Sequence, residues 1–158
     1  MTVLQDLNDF LNDYNKVSDS STHREAQFLA KRIKEEKLPQ DAIDGINILA
    51  LHVLQAIGNK QPIRAVELTE QMEITKGATF KITARLIRKN LVSKEHKPDN
   101  KKDVYYQLTD LGTRIFKIHD DLHKQERADL KKLLDKFSEQ QIKDATDVLN
   151  EINLYRKG

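Results

Sequence analysis

The sequence predicts a mainly α-helical protein that carries one β-hairpin. Apolar residues recur at three- and four-residue spacing over most of the 158 residues, which is the pattern of helices with one buried face. The composition agrees, because 33% charged and 38% hydrophobic residues with only 5 Gly and 3 Pro are typical of a helix-rich globular chain. One segment differs. The β-rich run at residues 104–109 follows a polar, lysine-rich tip at residues 97–102.

Length and composition exclude several classes of protein. A chain of 158 residues is the size of one domain, so a single domain over residues 1–158 is expected. The absence of cysteine excludes a disulfide framework, a thiolate zinc site and a thiol redox sensor. No apolar run approaches the roughly 20 residues of a membrane span, and the N-terminus lacks the pattern of a signal peptide. A cytoplasmic protein without a membrane partner is therefore expected.

The N-terminal half predicts a series of helices. One apolar stripe begins at Val3, and a second, of Ala26, Leu29, Ala30 and Ile33, runs towards Leu38. Residues 18–22 between them either interrupt the helix or supply a new N-cap, and both alternatives stay open. A further helix is predicted from Asp41 to Gly58, and a short one over residues 66–72.

Positive charge is concentrated in residues 75–102. This segment contains nine basic and two acidic residues, a net charge of +7, which leaves −5 for the remainder of a chain with net charge +2. A lysine-rich run is often only a solvated surface. A basic face on an acidic body is also suited to binding a polyanion locally.

The run "KGATFKITARLIRKNLV" predicts a helix with two different faces. Ala78, Ile82 and Leu86 are spaced to pack inward, with Thr79, Thr83 and Ile87 beside them. The opposite face then carries Gly77, Phe80, Lys81, Ala84, Arg85 and Arg88. Asn90 is expected to end this helix because it tolerates the left-handed conformation. The order of short helix, turn, basic helix and hairpin is that of a winged helix-turn-helix domain.

Residues 64–116 resemble the recognition helix and wing of MarR family transcription regulators. Asn90-Leu91-Val92 match the tripeptide after the family's recognition helix, and Asn100-Lys101-Lys102 match a wing tip that is Asp-Arg-Arg in the family. This tip precedes "LTDLG", residues 108–112, at the family's spacing. The resemblance implies double-stranded DNA as partner. The DNA-contacting residues that it implies, together with the helix phase, are Lys76, Gly77, Thr79, Phe80, Lys81, Arg85, Arg88, Lys94, Lys97, Lys101 and Lys102.

The chain departs from the family at two places. Lysines replace the wing arginines, which keeps the charge but loses the planar fork, so wing contacts are expected mainly to phosphate. Phe80 stands where the family has a small hydroxyl residue. Its ring is expected either to touch a thymine methyl group or to pack back onto the protein.

The C-terminal third predicts helices that pair two copies of the chain. Ser138-Glu139-Gln140-Gln141 form a predicted capping box, with Phe137 and Ile142 as its hydrophobic staple. The last helix carries more apolar surface than a monomer needs, and the resembled family pairs through its terminal helices. Residues 1–38 and 110–158 are therefore the predicted dimerisation helices, residues 41–109 the DNA-binding lobe, and a pseudopalindromic operator the expected target.

The remaining polar residues indicate no catalytic function. No phosphate loop, HExxH or GxSxG motif occurs, so neither an enzyme nor a cofactor is expected. His119 and His123 in "HDDLH" have a spacing able to hold a metal, but such a run is more often an exposed helix face. The favoured function is a dimeric repressor released by an unknown small ligand. The alternatives are a winged-helix module that binds an acidic protein and a metal-responsive member of the same family.

Overall fold

The fold is mainly α-helical with a small antiparallel sheet, as predicted. The structure, a computed structural model, describes the backbone of residues 3–158 and their side chains except residues 3, 4, 12 and 14–22. The helices are α1 (Val3–Glu35), α2 (Ile48–Lys60), α3 (Ala65–Gln71), α4 (Lys76–Arg88), α5 (Asp110–Leu134) and α6 (Glu139–Lys157). The strands are β1 (Ile63–Arg64), β2 (Val92–Lys97) and β3 (Asn100–Leu108), in the sheet order β1-β3-β2.

The chain divides into two compact units, residues 1–122 and residues 123–158. The core of the first unit combines residues of α1 to α5 with residues of all three strands. Its largest fully buried hydrophobic side chains are Leu29, Ile33, Val53, Leu54, Ile57, Ile63, Leu68, Leu86, Leu91, Ile115 and Ile118. In the part of the chain that the structure describes, no helix is long and apolar enough to cross a membrane.

Helix α1 is continuous through residues 18–22, so the break that the sequence left open is absent from its backbone. The predicted stripe after it is only partly confirmed, because Leu29 and Ile33 are buried whereas Ala26 and Ala30 are exposed. Glu25 is buried instead. Of the first stripe, Val3, Leu4, Tyr14 and Val17 lie outside the described side chains.

Helix α2 differs from its prediction at both ends. It begins after Asn47, whose side chain accepts a hydrogen bond from the Ala50 amide at 2.9 Å, and not at Asp41. Gly58 lies within the helix and does not end it. A Cβ atom there would stand 2.4 Å from the ring of Phe116, so glycine permits the close packing of α2 on α5.

Three helices end in the same way, each on a residue in the left-handed conformation. These residues are Lys37 after α1, Glu73 after α3 and Asn90 after α4, with φ of 53°, 52° and 55°. At the last of them the Leu91 amide donates to the Leu86 carbonyl, which is the long bond of a Schellman motif. The predicted role of Asn90 is thereby confirmed.

The second unit contains the C-terminal part of α5 and α6. The Ser138 hydroxyl accepts from the Gln141 amide at 3.2 Å, and the Gln141 side chain accepts from the Ser138 amide at 2.9 Å. This confirms the predicted capping box. None of the residues of α6 is buried within the chain.

The start of α5 lies directly on the backbone that follows α4. The Thr109 hydroxyl donates to the Asn90 carbonyl at 2.6 Å and accepts from the Gly112 amide at 3.0 Å. The Thr109 amide donates to the Leu91 carbonyl at 3.1 Å. A Cβ atom on Gly112 would stand 1.8 Å from that same carbonyl oxygen, which is backbone and cannot turn aside. The motif "LTDLG" therefore joins α4, β2 and α5 at one point.

We predict that Gly112→Ala destabilises the protein although alanine is the better helix former. Overpacking against backbone costs about 1–3 kcal/mol or more, which exceeds the gain of about 1 kcal/mol in helix propensity. Chemical denaturation measures the free energy of unfolding. Gly77→Ala in α4 is the matched control, because a Cβ atom on Gly77 would come no closer than 4.0 Å to its nearest neighbour, Thr75 Oγ1. This substitution should leave the free energy of unfolding equal or higher. Equal free energies of unfolding for the two variants would contradict the close packing of Gly112 on the Leu91 carbonyl.

Candidate nucleic-acid interface

Helices α3 and α4 are joined by a short turn and held by side-chain hydroxyl groups. Thr75 caps α4 by accepting a hydrogen bond from the Ala78 amide at 3.1 Å. The hydroxyl groups of Thr69 in α3 and Thr79 in α4 lie 2.8 Å apart. These contacts set the angle between the two helices and so the direction in which α4 is presented.

The buried face of α4 is rotated from its predicted position, because Leu86 is buried as predicted whereas Thr79 and Thr83 take the places predicted for Ala78 and Ile82. Its buried residues are Thr79, Thr83 and Leu86, whereas Ala78 and Ile82 are only half-buried. The Thr83 hydroxyl donates to the Thr79 carbonyl at 2.9 Å and lies 3.2 Å from the Tyr106 hydroxyl of β3. Because their hydroxyl groups are bonded within the fold, both threonines are buried at little cost.

This rotation corrects the prediction at Thr79. The residue was predicted to contact DNA, but its side chain is 2% exposed and its hydroxyl is engaged with Thr69. Thr79 therefore holds α4 against α3 and is not part of the outer face.

The outer face of α4 is small, basic and exposed. The predicted contact residues that it presents are Lys76, Gly77, Phe80, Lys81, Arg85 and Arg88. Phe80 is 68% exposed, so of the two alternatives for its ring, packing back onto the protein is excluded. A face of this kind has the chemistry needed to enter the major groove of a duplex.

The C-terminal half of α4 is bound to the loop between α1 and α2. Arg85 Nη1 donates to the Gly45 carbonyl at 3.1 Å, and Lys89 Nζ donates to the Asp41 carbonyl at 2.8 Å. Gly45 has φ of 73°, the left-handed conformation that glycine adopts without strain. One arm of the Arg85 guanidinium is therefore fixed, although the residue as a whole is exposed.

The hairpin of β2 and β3 forms the predicted wing. Asn100 Oδ1 accepts from the Lys102 amide at 3.2 Å and the Asp103 amide at 3.3 Å, which shapes its tip. Lys97 lies over the Tyr105 ring with Nζ 4.5 Å from the centroid. The four predicted wing lysines, Lys94, Lys97, Lys101 and Lys102, are all exposed.

The sequence did not reveal how the wing is attached to α3. Strand β1 is two residues long and pairs with β3, with Ile63 opposite Tyr106. Arg64 Nη2 donates to Glu67 Oε1 at 3.0 Å, and its Nη1 lies 3.8 Å from an oxygen of Asp103 in the wing. The hydrogen bond from Arg64 holds the pKa of Glu67 below its ordinary value. An ion pair thus connects α3 to the hairpin, although such exposed pairs contribute little stability.

A second polar cluster lies inside the first unit, where α1, α2 and α5 meet. His119 is fully buried, with Nε2 2.5 Å from Glu25 Oε1 and Nδ1 2.9 Å from Gln55 Oε1. The sequence favoured an exposed helix face for "HDDLH", and for His119 this is wrong. The His52 ring lies 5.9 Å from that of His119.

The donor set of this cluster suits a transition metal. Glu25, His52 and His119 each offer one ligand atom, and these atoms lie within 4.8 Å of one another. Two imidazoles and a carboxylate are ligands that zinc prefers. Sequence reasoning missed Glu25 and His52. The available signal was an acidic residue in register with Leu29 and Ile33 on the buried side of α1.

The fold and its basic outer face define a winged helix-turn-helix protein. The sequence profile of the MarR family matches residues 46–104. Residues 46–104 therefore belong to the MarR family.

Individual proteins agree with this assignment. The chain is 33% identical over 106 residues to the HTH-type transcriptional regulator PchR of Bacillus subtilis (strain 168). The match covers 67% of this chain and 63% of PchR, a little under two thirds of that relative.

The crystal structure of Streptococcus pneumoniae FabT in complex with DNA has the same fold, with a TM-score of 0.67 and 20% identity over 98% of this chain and 97% of FabT. So does ZitR of Lactococcus lactis, a zinc-responsive MarR family member, with a TM-score of 0.60 and 19% identity over 70% of this chain and 76% of ZitR.

The observed buried face of α4 predicts which of its side chains contribute to the free energy of unfolding. Leu86→Ala should lower the free energy of unfolding by about 2–5 kcal/mol, because it leaves a cavity at a fully buried position. Lys81→Ala, a change on the exposed face, should stay within about 0.5 kcal/mol of the parent. Urea denaturation of both variants provides the measurement. A larger loss for Lys81→Ala than for Leu86→Ala would show that the phase is misassigned.

Proposed function

We propose that the protein is a dimeric, sequence-specific DNA-binding transcription regulator. The observation that carries the proposal is the geometry of α4. One face is locked into the fold by Thr79, Thr83 and Leu86, and the opposite face presents exposed basic side chains beside a lysine-rich wing. Membership of residues 46–104 in the MarR family supports it, as does the likeness to a transcriptional regulator over most of the chain. Regulation by binding, not catalysis, is the function of such a family.

The two basic elements have different tasks in this proposal. Helix α4 enters the major groove, where its outward residues reach base edges. The wing lysines bind phosphate groups and so position the protein without reading sequence. Lysine suits this task because it binds a phosphate as a point charge.

Dimerisation supplies the symmetry that an operator needs. The proposed pairing elements are residues 1–38 and 110–158, whose helices expose apolar side chains. Among the large hydrophobic side chains that the structure describes in these segments, those exposed by at least 44% are Phe10, Leu130, Leu133, Phe137, Val148, Leu149, Leu154 and Tyr155. A two-fold dimer would place two α4 helices about one turn of DNA apart, on a pseudopalindromic site.

The proposed regulation is repression that a small ligand relieves. A ligand that wedges between the terminal helices and the DNA-binding lobe (residues 41–109) would change the spacing of the two α4 helices. The dimer would then exist in two states, one with the α4 spacing that fits DNA and one without it. The ligand shifts the equilibrium between them only by the difference in its affinity for the two states.

Salt dependence tests DNA binding directly. If about six to eight basic side chains of a dimer neutralise phosphates, log affinity against log salt should have a slope of about −5 to −7. The double variant Lys101→Ala/Lys102→Ala should flatten the slope while leaving the rank order of duplex sequences unchanged. Electrophoretic mobility shifts over a series of salt concentrations, with DNA from upstream of the gene that encodes the protein and with sequence variants of it, measure the slope and the rank order.

A slope near zero would rule out the proposal. It would favour the alternative in which the winged helix binds an acidic protein partner through the same basic face.

The polar cluster, in which Glu25 and His119 are buried and His52 is exposed, favours a second candidate function, that of a metal-responsive regulator. Glu25, His52 and His119 present a zinc-like donor set in the first unit, and His123 follows His119 by one turn along α5. The fold is shared with a protein described as zinc-responsive. Bound zinc would join α1, α2 and α5 at one point, because each helix supplies one of the three residues.

Zinc titration separates the two candidates. We expect the parent protein to bind zinc, and we expect His119→Ala to weaken that binding by at least about 10- to 100-fold. His23→Ala removes an exposed histidine of α1 and should have no effect. If binding regulates, zinc should also change the affinity for DNA, by the same factor by which DNA changes the affinity for zinc. Identical zinc affinity in all three proteins would eliminate the metal-responsive function and leave DNA binding intact.

A further inference from the structure

Phe80 is a large apolar side chain in the middle of a basic surface. It is the fifth residue of α4, close to the end that enters a groove first, and it is 68% exposed. Val66 of α3 is 41% exposed. Both residues line one cavity of about 320 Å³ between α3, α4 and β3, together with Val104.

The charges around this cavity indicate what covers the ring. Three basic residues and one acidic residue line the same cavity, namely Arg64, Lys76, Lys102 and Asp103. Lys81 follows Phe80 on the exposed face. The three lysines belong to the segment of residues 75–102 with net charge +7, so the complementary partner is a polyanion. An aromatic ring nevertheless requires an apolar contact, because it can form no directional hydrogen bond to a base edge.

Only one group in the major groove meets both requirements. The edges of guanine, cytosine and adenine present hydrogen-bond donors and acceptors there, whereas thymine also presents its C5-methyl group. We propose that Phe80 is a specificity-determining residue that contacts a thymine methyl group, with Val66 and Val104 as the apolar wall beside it. Each half-site then contains a thymine opposite the first turns of α4. This inference rests on the DNA-binding function proposed above.

Replacing thymine by deoxyuridine tests the contact without disturbing base pairing. A duplex retained by the protein would first be selected from a random-sequence library, and each thymine would then be replaced singly. Replacement at one position in each half-site should weaken binding about fourfold. This is the factor expected when one methyl group is no longer removed from water on binding. This factor should persist as salt rises, although the total affinity falls, because the contact involves no phosphate.

Two variants assign the effect to Phe80. Phe80→Ala should bind the selected duplex more weakly and lose all sensitivity to deoxyuridine at that position, as expected for a directly coupled pair. Its thermal stability should be unchanged, because the ring is exposed. Leu49→Ala removes a 39% exposed side chain of α2 and should keep the full sensitivity.

Three outcomes would overturn the inference. The first is a protein that discriminates the selected duplex from random DNA yet tolerates deoxyuridine at every thymine. The second is an undiminished uracil effect in Phe80→Ala. The third is preferential retention of single strands, on which an exposed ring stacks without regard to the methyl group. Failure to select any duplex would instead reject the DNA-binding function itself, and this inference with it.

Discussion

The contact between the Gly112 position and the Leu91 carbonyl determines how the elements of the first unit are arranged. Three segments meet there: the end of α4, the first residues of β2 and the first turn of α5. The Leu91 amide donates back to Leu86, and its carbonyl accepts from Thr109. A side chain at Gly112 would strike this carbonyl. The direction of α5 and the start of the wing are consequently set by the same few atoms that end α4.

The presentation of α4 depends on hydroxyl groups as well as on the fully buried Leu86. Thr79 bonds to α3, and Thr83 lies beside the Tyr106 hydroxyl of β3. Threonine fits here because its methyl group fills the core while its hydroxyl satisfies a buried partner. The arrangement connects α4 to the helix before it and to the wing after it. The outer face of α4 and the wing lysines are therefore held at a fixed distance and orientation to each other. Such rigidity favours a surface that must match the spacing of a duplex.

The cluster of Glu25, Gln55 and His119 has a different physical character. These polar groups are drawn from three helices, and Gln55 also donates to Asp120 at 3.3 Å. Such polar groups can be buried at moderate cost only because each has a hydrogen-bond partner, and both ring nitrogens of His119 have one. Helix α2 carries His52 and Gln55 towards this cluster, while Val53, Leu54 and Ile57 pack in the core.

Sequence alone determined the features that depend on neighbouring residues. Helical periodicity, the capping box at Ser138, the left-handed stop at Asn90 and the positive charge of residues 75–102 are all local, and the resemblance carried by residues 64–116 identified the family. Tertiary structure decided the rest. The buried face of α4 includes Thr79 and Thr83 because a hydroxyl group that finds a hydrogen-bond partner within the fold can be buried at little cost. Gly58 lies within α2 because α5 packs against it. Strand β1 forms only because β3 offers it a partner, as two residues carry no periodicity. Glu25 and His119 stand 94 residues apart in the chain, so only the packing of α1 on α5 could bring them into contact.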